Sequence, residues 1–258
     1  MRKINWHHRY LQQAAWTSDL RDYLFDKTNL SQARRVLEVG CGTGAILSML
    51  KTSASLTCTA PNAVRCKCHG IDLDSSALNE AHLHAPTTFL MRGDALTLPY
   101  SNQSFDITYC HFFLLWVKYP LRALTEMKRV TLSNGYVLAL AEPDYTARTD
   151  QPEELSALGK LQNESLQRQG ADISLGARLA DLFFRAGIKI IETGAIQSRE
   201  KAALSLEEWQ NEWDVIESDL AESVPEKEIA RLKKLDEEAR IHRTRVLNVP
   251  TYFVWGQV

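Results

Sequence analysis

The sequence predicts a single α/β domain in which helices cover both faces of a mostly parallel sheet. Short apolar runs alternate with longer amphipathic stretches, a pattern typical of strands joined by helices. The length of 258 residues lies in the range that one such domain can fill. We find no internal repeat, low-complexity segment or dividing linker in the sequence. We therefore expect one domain over 1–258, made of an N-terminal helical cap (1–30), a core (31–150) and a second half with helical insertions and the final two strands (151–258).

The first half of the chain predicts five strands, each a short run rich in apolar or β-branched residues. We place these strands at 35–39, 64–73, 87–94, 104–112 and 135–143. Helices are expected at 5–26, from the glycine turn to about 51, at 75–83 and at about 120–130. Asp74 or Ser75 is the expected N-cap of the third helix. The polar segment 51–63 contains Pro61 and is predicted to be a loop.

The second half keeps the alternation, but its helices are longer. Amphipathic helices are expected at 153–169 and 175–186, and further helical segments near 205–221 and 225–245. Strands are expected at 188–196 and 250–258, which brings the sheet to seven strands. We also expect the N-terminal helix and the segments near 153–170 and 205–245 to cover a substrate pocket, because these are what the chain adds to the sheet.

Composition and charge narrow the possible partners. The formal net charge is −2, so the chain has no general attraction for nucleic acid or acidic membranes, and we expect neither as a partner. No apolar run reaches the ~20 residues that span a bilayer, and the basic N-terminus lacks the apolar segment of a signal peptide. The odd number of cysteines, five, predicts reduced thiols and hence a cytoplasmic protein. We expect a monomer or a homodimer.

The most informative stretch is the strand-to-helix turn in residues 34–50, which reads RRVLEVGCGTGAILSML. Gly40, Gly42 and Gly44 let a ligand approach the backbone closely. Their spacing is G-x-G-x-G, and not the G-x-G-x-x-G of dinucleotide sites. Glu38 precedes the turn, where a carboxylate would repel a pyrophosphate and suit a cation. S-adenosylmethionine carries an ammonium and a sulfonium but no phosphate, so the turn favours this cofactor over NAD.

Acidic residues follow the next two predicted strands. Asp72, in GIDLD, lies where an acid can accept hydrogen bonds from both ribose hydroxyls. It comes 32 positions after Gly40, more than the usual ~20, and the polar loop around 52–63 accounts for the excess. Asp94, in GDAL, is placed to accept a hydrogen bond from an adenine amino group. These strand ends would line one crevice, although a role of both acids as helix caps alone stays open.

Four motifs resemble those of the class I S-adenosylmethionine-dependent methyltransferases, above all the small-molecule enzymes of the methyltransferase domain family. They are VLEVGCGTG, GIDLD, GDALTLPYSNQSFDITYCHFFLLW and EMKRVTLSNGYVLALAEPD, within about residues 30–145. The run RYLQQAAWTSDLRDYLF also resembles the N-terminal helix of some members. The resemblance implies a Rossmann-like sheet of seven strands in the order 3-2-1-4-5-7-6, with the last strand antiparallel. RVTLSNG departs from the lysine-proline-glycine turn of many members, and we expect this to alter only the turn.

The resemblance also implies which residues contact the cofactor. The glycine turn cradles the methionine part, with Glu38 supporting its ammonium, and Asp72 takes the ribose. Residues after the second and third strands contact the adenine, residues after the fourth lie beside the sulfonium, and the N-terminal helix closes over the cofactor. In chain order the implied cofactor residues are Tyr10, Gln13, Trp16, Glu38, Gly40, Cys41, Gly42, Gly44, Asp72, Leu73, Gly93, Asp94, Ala95, Cys110 and His111.

The chemistry itself requires few groups. Methyl transfer from a sulfonium is an in-line displacement on an activated carbon, so proximity and orientation can supply much of the rate. A base is needed only when the acceptor must lose a proton. His111 and Glu142 are the predicted catalytic candidates, with Asp144 and Tyr145 nearby, and an interior structural role of His111 is equally open. We expect S-adenosylmethionine-dependent methylation of a small-molecule metabolite at oxygen, nitrogen or carbon.

Other functions stay open at this stage. The strand-end acids argue only for binding, so a non-catalytic or partner-dependent methyltransferase-like protein is the alternative, and a large exposed apolar patch on 205–245 would favour a partner. The fourth strand ends in YCHF and lacks the N/D-P-P-Y turn of enzymes that methylate nucleic acid or protein nitrogens, which disfavours an RNA or protein substrate. Cys66-x-Cys68-His69 invites a metal interpretation, but no second ligand pair has the right spacing, and we expect no metal.

Overall fold

The computed structural model describes residues 4–50, 66–196 and 205–258. Within them, seven strands form one sheet and two short strands form a separate pair, in the order β3-β2-β1-β4-β5-β9-β7 and β6-β8. The strands are β1 (Arg35–Val39), β2 (Lys67–Asp72), β3 (Phe89–Arg92), β4 (Phe105–Cys110), β5 (Thr131–Pro143), β6 (Thr149–Gln151), β7 (Lys189–Ile196), β8 (Val246–Asn248) and β9 (Thr251–Gln257). Numbered within the large sheet alone, the order is 3-2-1-4-5-7-6, as predicted. The chain labels differ because β6 and β8 were not predicted.

The pairing of the strands brings the candidate residues to one edge of the sheet. β1 pairs in parallel with β2 and with β4, β2 pairs with β3, and β4 pairs with β5, all in parallel. β9 runs antiparallel to both β5 and β7, which confirms the predicted antiparallel last strand. Glu38 of β1 stands level with Gly70 of β2 and Tyr109 of β4. The segments that follow β1 to β4 therefore all leave the sheet at the same edge.

The described residues form nine α-helices, and most of their bounds match the prediction within two residues. They are α1 (Trp6–Trp16), α2 (Ser18–Lys27), α3 (Ala45–Leu50), α4 (Ser75–His84), α5 (Pro120–Val130), α6 (Ser156–Arg168), α7 (Leu175–Arg185), α8 (Leu206–Leu220) and α9 (Glu226–Ile241). Asp74 caps α4 as predicted, because its side chain accepts a hydrogen bond from the Ser76 amide. The loop predicted at 51–63 lies outside the described residues.

The helix predicted over 5–26 is in fact two helices that meet at Thr17. The Thr17 hydroxyl donates to the carbonyl of Ala14 and also lies 2.9 Å from His111 Nε2. Threonine side chains that bond to nearby backbone in this way compete with regular helix geometry. The break lets the two helices pack on different neighbours, α1 on α3 and α2 on β5.

Each face of the large sheet carries its own apolar core. One core packs α5 and α7 on the sheet, and the other packs α2, α3 and α4 on the opposite face. A third cluster lies between α6, α8 and α9 and includes Trp209 and Trp213. Both tryptophans are buried, in keeping with their helical spacing, which is typical of a core-facing side of a helix. The helices of the second half thus form a small unit with its own interior.

A buried charged network joins this helical unit to the β6-β8 pair. Asp236 of α9 accepts hydrogen bonds from the indole N–H groups of Trp209 and Trp213, at 2.7 and 2.9 Å. Arg245 donates to Asp236 at 2.6 Å and to Asp150 of β6 at 2.8 Å. Burial opposes the charge of Asp236, but the arginines and indoles around it hold its pKa below the usual value. The network thus links α8 and α9 to β6, the short strand that follows β5 in the chain.

Candidate active site

The glycine turn after β1 is fixed by its backbone conformation and by bonds to β2. Gly40, Gly42 and Gly44 have φ angles of +73°, +49° and +76°, in the left-handed region that favours glycine. The amides of Gly40 and Cys41 both donate to the carbonyl of Ile71, at 2.9 and 3.1 Å. The turn therefore lies directly against the end of β2.

Two aromatic rings lie on the turn. A Cβ built at Gly40 would come within 2.0 Å of the Phe113 ring, and a Cβ at Gly42 within 3.3 Å of the Tyr10 ring. Glycine is therefore required at position 40 for space as well as for conformation. Tyr10 comes from α1, the helix that we predicted to close over the site. Phe113 follows β4 and was not predicted.

Asp72 links the end of β2 to the glycine turn. One of its carboxylate oxygens accepts a hydrogen bond from the Gly42 amide at 2.7 Å, and the other accepts from the Asp74 amide at 2.9 Å. A carboxylate has about four acceptor positions, so each oxygen can take a further donor from a ligand. Leu73, predicted to pack on an adenine, is 62% exposed beside it.

Glu38 lies beneath the turn and away from solvent. Its carboxyl group is buried and accepts a hydrogen bond from the Tyr109 hydroxyl at 3.2 Å. Burial raises the pKa of Glu38 well above its usual value, and the bond from Tyr109 opposes that rise. Glu38 thus has the Tyr109 hydroxyl as its hydrogen-bond partner, and its support of a bound ammonium stays a prediction.

The residues after β3 form a tight turn against β2. The Gly93 amide donates to the Asp72 carbonyl at 2.9 Å, and a Cβ at Gly93 would lie 2.7 Å from the Ile71 side chain. Asp94 is exposed, and its side chain accepts from the Leu96 amide at 2.9 Å. Asp94 therefore caps this turn through one carboxylate oxygen. Its other oxygen lies at the edge of the sheet where Asp72 ends β2.

The last residue of β4 is Cys110. Cys110 is completely buried in the apolar core that contains α5 and α7, so its thiol lines no open space. Its Sγ lies 4.0 Å from an oxygen of Glu142. Side chains alternate along a strand, and Cys110 faces the packed side of the sheet. The position of Cys110 beside the sulfonium stays a prediction, and its buried thiol leaves only its backbone for such a contact.

His111 is held as a neutral imidazole at the junction of α1 and α2. Its Nε2 lies 2.9 Å from the Thr17 hydroxyl. Burial, with the nearby charge of Arg21, lowers the pKa of His111 to about 3. A base with such a pKa is almost inert towards protons at neutral pH. His111 therefore fits a hydrogen-bonding role better than the predicted role of general base.

Glu142 is a structural carboxylate in this fold. It is completely buried, and its two oxygens accept backbone N–H groups of Phe113, Leu114 and Leu115, at 3.0, 2.8 and 3.2 Å. Burial raises the pKa of Glu142 to about 7, and the three amide bonds act against that rise. Its burial and its three amide bonds favour a role of Glu142 in holding the turn after β4, and its role as a catalytic base stays a prediction.

That turn contains the most unusual backbone of the site. Phe112 has a φ of +49°, a conformation that bulky residues seldom adopt and that clusters at functional sites. Its amide donates to the Ala141 carbonyl at 2.8 Å. The strained Phe112 lies between His111, which contacts Thr17, and Phe113, which covers Gly40. The sequence shows the motif HFFLLW after the strand, but nothing in it reveals this backbone conformation.

The N-terminal helix is docked on the turn at several points. His7 Nδ1 lies 2.9 Å from the Thr43 hydroxyl, and the His7 ring stacks on His84 at the end of α4 with 3.4 Å between ring centres. Ala14 is fully buried further along α1. Trp16 carries the Arg9 guanidinium above its ring, 4.9 Å from the ring centre. Gln13 is half-buried on the same helix.

Comparison with known proteins agrees with this architecture. Residues 37–139 match a family model described as a methyltransferase domain. O-methyltransferase rstn1 of Aspergillus nomiae is 27% identical over 176 residues, which are 68% of this chain and 73% of that protein. A malonyl-(acyl-carrier protein) O-methyltransferase of Erwinia pyrifoliae is 28% identical over 129 residues, which are 50% of this chain but only 45% of that relative.

The solved structures agree on the fold. A protein from Bacillus halodurans, provisionally assigned as a methyltransferase, superposes with a TM-score of 0.58 at 15% identity, covering 92% of this chain and 97% of that one. The fold, the glycine turn and the matched domain define an α/β enzyme of the methyl-transferring type. The matched domain, the named relatives and the shared fold support a class I S-adenosylmethionine-dependent methyltransferase.

Two properties of the described residues bear on membranes and metal ions as partners. None of the helices in the described ranges has both the length and the apolar character to cross a bilayer. No group of three or more His, Cys, Asp or Glu side chains in the same ranges is arranged to hold a metal ion. Cys66 lies just before β2 and Cys68 and His69 lie within it, and His69 packs among aromatic rings.

Proposed function

We propose that this protein transfers the methyl group of S-adenosylmethionine to an oxygen, nitrogen or carbon atom of a small-molecule metabolite. The observation that carries the proposal is the contact of Asp72 with the Gly42 amide beneath the Tyr10 ring. It combines a ribose-binding acid, a glycine turn and a cover from α1 in one place. The relatives named as O-methyltransferases support an oxygen acceptor in particular.

The glycine turn suits this cofactor better than a dinucleotide, because backbone N–H groups of the turn already donate hydrogen bonds within the protein. The Gly40 and Cys41 amides donate to Ile71, the Gly42 amide to Asp72, and the Gly44 amide to the Cys41 carbonyl. A pyrophosphate needs free N–H groups at such a turn and avoids a carboxylate. A ligand that binds through its ribose hydroxyls and a positive charge does not need free N–H groups at the turn and is not repelled by a carboxylate.

The remaining residues of the site bind, orient and exclude water. S-adenosylmethionine, when bound, supplies a methyl group already activated on a sulfonium. Tyr10 and Phe113 keep water from the glycine turn, and Glu142 holds the turn that carries Phe113 in place. His111 stays neutral and can accept or donate one hydrogen bond. These features favour catalysis by positioning, without a strong base among the predicted candidates.

The alternative of a partner-dependent protein finds little support. In 205–258, the large hydrophobic residues that are strongly exposed are Leu206 and Ile241, near the start of α8 and at the end of α9. Isolated exposed residues of this kind are ordinary and do not make a docking patch. A cytoplasmic location, a monomeric or homodimeric state and the lack of a nucleic-acid partner remain predictions.

The proposal is tested by methyl transfer. Full-length protein is incubated with methyl-labelled S-adenosylmethionine and the small-molecule fraction of a cell extract, and label in new products is measured. We expect label to enter a low-molecular-weight product. Binding of S-adenosylhomocysteine without any transfer would favour the non-catalytic alternative, and label in RNA or protein added separately would favour a macromolecular substrate.

A further inference from the structure

An arginine without a carboxylate partner lies beside the proposed site. Arg9 of α1 is half-buried and lies over the Trp16 ring. It donates a hydrogen bond to Gln12 Oε1 at 3.0 Å, and no carboxylate of the described residues comes within 4.0 Å of its nitrogens. A guanidinium carries five N–H donors, and a partly buried one is normally paired. Most of the donors of Arg9 are therefore left for another group.

The charge of Arg9 acts on two residues from the second half of the chain, Tyr145 and Asp219. Burial raises the pKa of the Tyr145 hydroxyl and of the Asp219 carboxyl, and the positive charge of Arg9 opposes both rises. Asp219 is already bound by Gln169 Nε2 at 3.1 Å. The Tyr145 hydroxyl has no hydrogen-bond partner among the described residues, so it stays protonated and free to donate.

A third polar group near Tyr145 is unsatisfied. Asn163 of α6 donates from Nδ2 to the Tyr145 carbonyl at 2.9 Å, while its Oδ1 is buried without a donor among the described residues. Buried polar atoms in folded proteins almost always have a partner. Two donor groups and one acceptor thus lie on α1, on the segment after β5 and on α6, linked by the charge of Arg9 acting on Tyr145 and by the bond from Asn163 to the Tyr145 carbonyl.

This polar group borders the reaction site. Arg9 is adjacent in α1 to Tyr10, whose ring lies on Gly42. Tyr145 follows β5 by two residues, and the charge of Glu142 is close enough to act on its hydroxyl. Arg9 is thus next to a residue that covers the cofactor turn, and Tyr145 is bonded to Asn163 of the helical unit of α6, α8 and α9.

We infer that Arg9, Tyr145 and Asn163 bind the methyl acceptor, and that the acceptor carries an anionic oxygen group, a carboxylate or a phosphate, that pairs with Arg9 and Tyr145. This inference rests on the proposed methyl transfer. Arginine binds carboxylate and phosphate oxygens through paired N–H donors, and a partly buried site strengthens such pairing. Asn163 Oδ1 then accepts from a hydroxyl or N–H group of the same acceptor.

The first test separates acceptors by charge. The small-molecule extract is passed over an anion-exchange resin at pH 8, and the retained and unretained pools are assayed separately with methyl-labelled S-adenosylmethionine. We expect the acceptor in the retained pool. Treating that pool with phosphatase before the assay separates the two sources of charge, because a phosphate acceptor is then lost from the retained pool and a carboxylate acceptor is not.

The second test uses variants of the full chain. Arg9→Gln should raise the KM for the retained pool at least tenfold, Arg9→Lys should recover part of the loss, and Tyr145→Phe should raise KM several-fold. All three should bind S-adenosylhomocysteine within about twofold of wild type, which shows that they are folded. Lys234→Gln removes a charge from an exposed face of α9 and should change neither value.

The outcomes separate the inference from the function on which it rests. Transfer from the unretained pool alone, or transfer with the same KM in Arg9→Gln and wild type, would overturn the anionic acceptor and leave methyl transfer standing. Lack of S-adenosylhomocysteine binding, together with lack of transfer from either pool, would overturn the proposed function, and the inference with it.

Discussion

Asp72, His111 and Glu142 lie at the ends of strands β2, β4 and β5 along one edge of the sheet, yet their surroundings favour different roles. Asp72 is partly exposed and holds two amides with acceptor positions left over. Glu142 is completely buried with three amides, and His111 is neutral against Thr17. The strand-end positions follow from the sequence pattern. The roles do not, because the partners of His111 and Glu142 come from the α1-α2 junction and from a strained turn that no local pattern reveals.

Removing the Asp72 carboxylate should weaken cofactor binding. Asp72→Ala loses the acceptor for ribose hydroxyls, which costs ~1–3 kcal/mol, or roughly tenfold to a hundredfold in Kd. Calorimetric titration with S-adenosylhomocysteine measures the change. Asp181→Ala, on the exposed side of α7, is the matched control. Normal binding by Asp72→Ala would show that the end of β2 does not hold the ribose.

The Glu142→Gln variant should be less stable, and its cofactor site should be looser. The amide oxygen can replace only part of the carboxylate that serves three backbone N–H groups, and leaving buried donors unpaired costs ~1–3 kcal/mol. Urea unfolding gives the free energy, with the exposed Glu164→Gln of α6 as control. Equal unfolding free energies for wild type and Glu142→Gln would contradict the structural role.

The lowered pKa of His111 predicts a loss of stability in acid. The unfolded chain takes up a proton on this histidine near pH 6.5, but the folded chain does so only near pH 3. Stability is therefore fully present above pH 6.5 and falls by about 1.4 kcal/mol per pH unit below it. From pH 7 to 5, wild type should lose about 2 kcal/mol more than His111→Gln. Parallel curves for the two proteins, with the exposed His82→Gln as control, would argue against a buried neutral His111.

At the scale of secondary-structure elements, the sequence predicts the longer strands and helices well. It predicts breaks within helices and very short strands poorly. Strands β1 to β5 and helix α5 appear where their apolar patterns place them. The break at Thr17 was missed because α1 and α2 together keep a helical pattern, and the bonds that interrupt them go to Ala14 and His111. The three-residue strands β6 and β8 are too short to show alternation, so only pairing with each other defines them.

The docked helix α1 should contribute to cofactor affinity through Tyr10. Its ring covers the turn at Gly42, and removing it exposes that surface to water. Tyr10→Ala should weaken S-adenosylhomocysteine binding by about tenfold or more, since a buried aromatic ring contributes ~1.5–3 kcal/mol. The exposed Tyr23→Ala of α2 serves as control. Removing residues 1–20 is a coarser test, because it also deletes Ala14 and Thr17 from the core.

At the scale of the whole molecule, the described residues form a seven-stranded sheet with helices on both faces and a separate helical unit of α6, α8 and α9. The sheet order follows from the alternation of strands and helices together with the family resemblance. The helical unit has its own apolar cluster and a buried charged network around Asp236, neither of which has a local sequence signal. One of the proposed acceptor residues, Asn163, lies in this unit, and the lack of local sequence signals there makes the acceptor less predictable than the cofactor.

The central claim is that the edge of the sheet near Gly40 and Asp72 binds S-adenosylmethionine and not a dinucleotide. Isothermal titration of the full-length protein with S-adenosylhomocysteine and, separately, with NAD tests it most directly. We predict one site with a Kd in the micromolar range for S-adenosylhomocysteine, no heat of binding for NAD, and loss of affinity in Asp72→Ala. Binding of NAD with no response to S-adenosylhomocysteine would contradict the account.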